Sequence, residues 1–314
     1  MTDRRIIEIS SPGLYLKSDR GQVKILKEKE EISSIPIEDI AVVIFSGYGQ
    51  LLSTKLIEKL IRNKVVVVFC DSKFLPLSMI QPIDSHHLSN TRFKMQVEYP
   101  KASVARSWQN IIKSKITNQY LILEKYERSH LYLKNLVREV QSADDCNIEA
   151  KAARYYFKKL FGNEFKRRDD SIEINGCLNF TYAILRSALA RALISRGFHL
   201  SYGIHHSNQF NNCCLVDDLL EPLRPFADEL VLCLLHRGRY ILTADLKALL
   251  TQIVEVPATF NGDRMSISNA IIKYSDYLLT IFQDKGVVKH SPRIVGESLD
   301  EFIDLRTSDY VVTS

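Results

Sequence analysis

The sequence predicts an α+β protein, with a small N-terminal β-rich, β-sandwich-like domain over residues 1–80 and a larger all-α domain over residues 101–290. Three observations carry that prediction. Short β-branched runs crowd the first 80 residues, helical periodicity dominates beyond Ala102, and 46% hydrophobic content over 314 residues suffices for a sizeable core divided between two domains. Residues 81–100 read as a linker and residues 291–314 as a C-terminal tail.

In chain order, Leu14–Leu16 and Val23–Leu26 flank the turn signal Asp19-Arg20-Gly21, and Ala41–Phe45 and Val65–Phe69 are further strands. Between the last two, Ser53 or Thr54 caps a short helix through Arg62. Phe74-Leu75-Pro76-Leu77 continues the sheet. Gln81–Pro100, with Pro82, His86, His87 and Pro100, keeps no period, which is why it reads as linker. Helices are expected over Ile111–Lys125, Asn147–Gly162, Leu178–Ser195, and Leu230–Leu235 with its extension. Patterning weakens from about His290, as in a loosely ordered tail or a partner-binding arm.

Met1–Arg5 is polar and charged, and the longest apolar runs are far too short to cross a bilayer, so a cytoplasmic protein is expected. The six cysteines show no paired spacing and read as reduced core thiols. No Gly-x-x-x-x-Gly-Lys-Ser/Thr run suggests an ATP site. The net charge of +5 is unevenly placed: residues 91–168 hold 17 Lys and Arg against 8 Asp and Glu. This band runs from Lys113 and Lys115 through Arg154, Lys158, Lys159, Arg167 and Arg168, with Trp108, Tyr120, Tyr126, Tyr132 and Tyr155 interspersed. It suits phosphate binding, and equally a set of solvated helix faces.

One stretch concentrates imidazole and carboxylate: Gly203-Ile204-His205-His206, then Asp217-Asp218-Leu219-Leu220-Glu221-Pro222-Leu223-Arg224-Pro225. If it is helical, Asp218 and Glu221 project from one face. Carboxylate oxygens with one imidazole suit magnesium or manganese, whereas the adjacent Cys213 and Cys214 are poorly spaced for zinc. A solvated helix face gives the same pattern. Glu149 opens a second helix and sits on its inward side with Ala153, Tyr156, Phe157 and Leu160, although the helix dipole alone also favours an acid there.

Together, Glu-x-x-x-Ala-Arg-x-Tyr-Phe from Glu149 and Gly-x-x-His with Asp-x-x-Glu-Pro-x-Arg-Pro resemble the CRISPR-associated spacer integrase family, the subunit called Cas-one, in a form most similar to those of type II systems. Ile35–Ile40, Leu52–Leu56 and Val65–Asp71 are similar to that family's amino-terminal domain. The resemblance implies a homodimeric, metal-dependent DNA endonuclease and integrase. With a smaller Cas-two partner, such a protein inserts fragments of foreign double-stranded DNA into a CRISPR array. It implies Glu149, His206 and Glu221 as metal ligands and catalytic residues for Mg2+ or Mn2+, with Asp218 as an additional acidic position. Leu223 departs from the more usual aromatic after the proline.

The chemistry so implied is attack by a 3′-hydroxyl of the incoming fragment on a target phosphodiester, with charge at phosphorus stabilised by the cation. Water as nucleophile would cut the DNA instead. Arg154, Lys158, Lys159, Arg167 and Arg168 are the expected DNA contacts, and Tyr182 is either a DNA-orienting residue or a buried structural tyrosine. A noncatalytic DNA-capture scaffold and a generic metal-dependent nuclease are the alternatives.

Overall fold

The computed structural model describes residues 5–70, 76–80, 88–169, 171–296 and 299–308. The chain divides into two compact units, Met1–His87 and Leu88–Ser314.

The first unit holds β1 (Arg5–Ile9), β2 (Tyr15–Asp19), β3 (Gln22–Lys27), β4 (Glu30–Pro36), β5 (Ile40–Phe45), β6 (Leu51–Leu52), α1 (Thr54–Arg62), β7 (Val66–Cys70) and β8 (Pro76–Ile80). They form two four-stranded sheets, β1-β5-β7-β8 and β4-β3-β2-β6. In the first sheet β5 lies between β1 and β7, parallel to both, and all six of its residues are buried, the pattern of a strand enclosed on both faces. In the second sheet β2 and β3 pair antiparallel across Arg20, at φ 44°, and Gly21, at φ 78°; a glycine takes the second position without strain. Ser53 caps α1 by accepting from the Leu56 N–H at 3.2 Å. Leu56 and Leu60 then join Leu16, Val23, Ile40, Val43 and Val67 in one apolar cluster spanning both sheets. Of the Phe74–Leu77 reading, Pro76 and Leu77 fall in β8, which runs antiparallel to β7, and Phe74 and Leu75 lie outside the described residues, as do His86 and His87.

The second unit is mostly helical: α2 (Ser89–Val97), α3 (Lys101–Lys125), α4 (Leu131–Glu139), α5 (Ile148–Phe161), α6 (Glu173–Ile194), α7 (Cys214–Leu220), α8 (Arg224–His236), α9 (Ala244–Thr251), α10 (Ile267–Gln283) and α11 (Asp300–Ser308). The long α3 packs against α4, α5 and α8, and α6 packs against α7, α8 and α10. Two features depart from the sequence reading. The second half of the expected linker is α2, whose buried Gln96 donates to the carbonyls of His199 and Tyr202, both at 3.0 Å, and accepts the His199 N–H at 2.8 Å. The helical region also contains a three-stranded sheet, β9 (Pro257–Phe260), β10 (Asp263–Ser266) and β11 (Arg293–Ile294), in the order β10-β9-β11. The stretch from His290 thus supplies β11, and α11 follows it, with Arg237 paired to Asp300 at 2.7 Å and Asp304 at 2.9 Å. Among the described residues no helix is long and apolar enough to cross a membrane. Among the described residues no disulfide forms; Cys177, Cys213, Cys214 and Cys233 are buried, while Cys146 is exposed.

Candidate metal centre

Two carboxylates from separate elements meet on one cation. Glu149 lies in the first turn of α5, and its backbone is fixed from outside that helix. Asp144 accepts the N–H groups of Ile148 at 2.9 Å and Glu149 at 3.0 Å, capping the helix in place of Asn147, which sits in the left-handed region at φ 51°. Glu221 is the residue that ends α7. The turn after it is anchored by Asn118 of α3, which donates to the Pro222 carbonyl at 2.7 Å and to the Pro292 carbonyl at 3.0 Å. One turn earlier on α3, the Lys115 ammonium donates to Glu149 Oε1 at 2.5 Å and to Glu221 Oε2. Arg224 donates from Nε to the other Glu221 oxygen at 2.9 Å.

Burial alone would push the Glu221 carboxyl up, but Arg224 and Lys115 overcome it and hold the group at about 2. Burial likewise pulls Lys115 down, and Glu221 and Glu149 more than offset it, so the ammonium is held above its ordinary range.

His206 is set by a different carboxylate. Its Nδ1 lies 2.6 Å from Asp218 Oδ1, and the fully buried Asp218 also accepts the N–H groups of Ile204, at 2.5 Å, His205, at 2.9 Å, and His206, at 3.1 Å. The loop can close this tightly only because residue 203 is glycine: a Cβ there would lie 2.6 Å from both Asp218 Oδ2 and the His206 carbonyl oxygen. The Asp218 hydrogen bond raises the imidazole above its ordinary value, burial opposes that, and Glu221 and Asp217 add to it. Asp218 therefore aims the ring at Nδ1 and leaves Nε2 for another partner, as a carboxylate behind a metal-binding histidine does. His205 turns away and stacks on Trp108, with ring centroids 4.2 Å apart. Asp217 is committed to Arg186, whose Nε donates to it at 2.6 Å.

A hard divalent cation takes carboxylate oxygens first, and the structure brings two of them onto one positive charge. Among the described residues no three of His, Cys, Asp and Glu close around one point, and His206 couples to the pair electrostatically, through Glu221. The donor chemistry fits such an ion, with Asp218 behind the histidine rather than beside the carboxylates. Sequence reasoning missed Asp144, Asn118 and the placement of Lys115; of these only Asp144, a carboxylate just before a helical pattern, left a local signal.

Arg154, Lys158, Lys159 and Arg168 are exposed, whereas Arg167 is half-buried and donates to Asn179 at 2.7 Å and Asn175 at 3.3 Å. Tyr182 is interior. Its hydroxyl donates to Asp228, and the guanidinium carbons of Arg224 and Arg167 stand 4.9 and 5.1 Å from its ring centroid. It thus takes the buried structural position, packed against Arg224.

Asp228 supplies a pH-dependent expectation. Burial pushes its carboxyl up to about 6, against the hydrogen bond from Tyr182. A folded value raised above the unfolded 3.8 contributes stability that is present below 3.8 and lost as pH rises through about 6, a span of about 3 kcal/mol. Urea denaturation of wild type and Asp228→Asn at pH 4 and pH 7 should show wild type losing stability relative to the variant on going to pH 7. A pH-independent difference would place the buried charge elsewhere.

The comparisons with known proteins bear on this geometry. The family model described as CRISPR associated protein Cas1 matches residues 7–247. The chain belongs to the CRISPR-associated Cas1 family. The CRISPR-associated endonuclease Cas1 of Neisseria meningitidis serogroup C is 32% identical over 302 residues, covering 95% of this chain and 96% of that one. In fold, this Cas1-family chain is similar to a casposase solved bound to an integration product, with TM-score 0.76, 19% identity and coverage of 98% and 99% of the two chains. It is also similar to a chain of a Cas6-RT-Cas1–Cas2 complex, with TM-score 0.76, 18% identity, 93% of this chain covered and 36% of that one.

Proposed function

We propose that this chain is a metal-dependent DNA endonuclease and integrase of CRISPR adaptation, which inserts short foreign DNA fragments into a CRISPR array by transesterification. The observation that carries the reading is the convergence of Glu149 and Glu221, 72 residues apart in a Cas1-family chain, on a single positive charge. The Neisseria relative, an endonuclease by name, and the casposase, solved on an integration product, support it. The likeness to a chain of a Cas6-RT-Cas1–Cas2 complex supports a smaller Cas-two partner, and we infer a homodimer joined through residues 1–80.

In this reading Glu149, Glu221 and His206 hold Mg2+ or Mn2+. When bound, the cation supplies Lewis acidity at a nonbridging phosphate oxygen and offsets the charge that builds at phosphorus. Arg224 and Lys115 keep Glu221 ionised, so it enters as a ligand and not as an acid. Asp218 holds the His206 ring so that Nε2 is the free nitrogen. The fragment's 3′-hydroxyl loses its proton as its oxygen bonds to phosphorus. The target strand's 3′-oxygen leaves and takes up a proton, so one phosphodiester replaces another. Water in place of the 3′-hydroxyl gives strand cleavage.

The test is to incubate the purified protein with a CRISPR array plasmid, short duplex DNA and manganese, with and without the partner. Joined products are expected. DNA binding without chemistry identifies a capture scaffold, and cutting without joining identifies a generic metal-dependent nuclease.

The exposed cations Arg154, Lys158, Lys159 and Arg168 are the proposed phosphate contacts. Replacing Lys158, Lys159 and Arg168 together by alanine should flatten log affinity against log salt by roughly 0.9 per lost duplex contact. Fluorescence anisotropy across a salt series measures this, and an unchanged slope in the folded variant moves the DNA surface off α5.

A further inference from the structure

The group that bridges Glu149 and Glu221 belongs to the protein itself. Lys115 comes from the middle of α3, 34 residues before Glu149 and 106 before Glu221, and its ammonium hydrogen-bonds to one oxygen of each. Those two bonds are its only ones among the described residues. Its side chain is 9% exposed, and that of Glu221 is 7% exposed.

We propose that Lys115 is the resident counter-ion of this carboxylate pair and that a divalent cation enters by displacing its ammonium, so that this one side chain sets metal affinity and is released on loading. The proposal rests on Glu149 and Glu221 being metal ligands. Charge is the first argument. Two carboxylates and two cations, Lys115 and Arg224, balance one another, and a doubly charged ion added with both retained would leave two uncompensated positive charges around a buried carboxylate. Space is the second. Hard divalent ions sit about 2.1 Å from their oxygens, so an ammonium already bonded to both carboxylates fills the position such an ion needs.

Which cation yields follows from how each is held. Arg224 donates from Nε to Glu221 at 2.9 Å, and its planar guanidinium lies over the Tyr182 ring, 4.9 Å from its centroid. Lys115 is a point charge on a flexible four-carbon stem, with nothing else described as bonding it. Lys115 is therefore the one that moves, while Arg224 and the Asn118 clamp keep Glu221 in place. The arrangement holds both carboxylates in position before metal arrives, at the expense of competing with it.

The experiment is a Mn2+ titration of the full chain, by calorimetry and by the electron paramagnetic resonance signal of free Mn2+, for wild type, Lys115→Met and Glu149→Gln. Lys115→Met should bind Mn2+ roughly tenfold tighter or more, because it removes a positive charge that competes for the same oxygens. Its melting temperature without metal should fall, and saturating Mn2+ should recover it. Equal or weaker binding by a folded Lys115→Met overturns the proposal. If that variant does not fold, wild type decides through amine acetylation read by mass spectrometry, with Lys113 as reference. Mn2+ should increase modification of Lys115 several-fold, and unchanged modification while Mn2+ binds overturns displacement. The underlying metal reading fails separately, if wild type shows no Mn2+ binding that Glu149→Gln removes.

Discussion

Glu149→Ala and Glu221→Ala are both expected to lose strand transfer, by on the order of 10³-fold or more, because each removes an oxygen ligand from the cation that stabilises the transition state. The two should differ sharply in stability. The Glu149 side chain is 30% exposed, and without it Lys115 keeps Glu221. That variant should stay folded and bind duplex DNA with near wild-type affinity. Glu221 is buried, and its loss takes from Arg224 its carboxylate hydrogen bond and from Lys115 the more buried of its two partners. Breaking a buried pair by deleting one partner costs about 3–5 kcal/mol. Joining assays at saturating manganese, with denaturant melts of both proteins, check the pair of outcomes. Wild-type joining by either variant removes that residue from the site, and equal melts would contradict the asymmetry of burial.

The strands that the sequence revealed are those whose burial leaves no choice of residue. Val42–Ile44 and Val66–Val68 are β-branched because parallel neighbours and sheet packing enclose them. Strands with a solvent edge were illegible: β4 alternates no apolar face and leaves Glu30, Glu31, Ile32, Ser33 and Ser34 exposed. The β9 and β10 strands are four residues each, too short for a period to emerge. In α2 the decisive buried residue is polar, so hydrophobic patterning could not find it.

At the site, local motifs carried Glu149, His206, Asp218 and Glu221, because each lies in a short recognisable run. Lys115 looked like one more member of a basic band, since a lysine facing solvent and a lysine facing two acids are the same letter. Only folding sets α3 against α5 and the end of α7. Asp218 was legible as an acid near the histidine, but not in its role, because the three backbone amides it accepts come from a loop about a dozen residues upstream whose closure depends on Gly203.

The adjacent histidines give the remaining large effect. His206→Ala should lose strand transfer and weaken Mn2+ binding, because it removes the imidazole that Asp218 orients. His205→Ala should retain most of both. Its ring lies parallel to Trp108, with an interplanar angle of 3°, and its backbone N–H, which the substitution leaves in place, is what Asp218 uses. Losing that ring contact should lower stability by about 1 kcal/mol. His206 meets the same tryptophan edge-on at 5.6 Å, so both substitutions disturb Trp108 and a packing defect alone would affect them comparably. A side-by-side integration assay and Mn2+ titration of the two folded variants separates the cases. Loss of joining in His205→Ala with retention in His206→Ala would put the working histidine one residue earlier and leave Asp218 orienting a ring that does no chemistry.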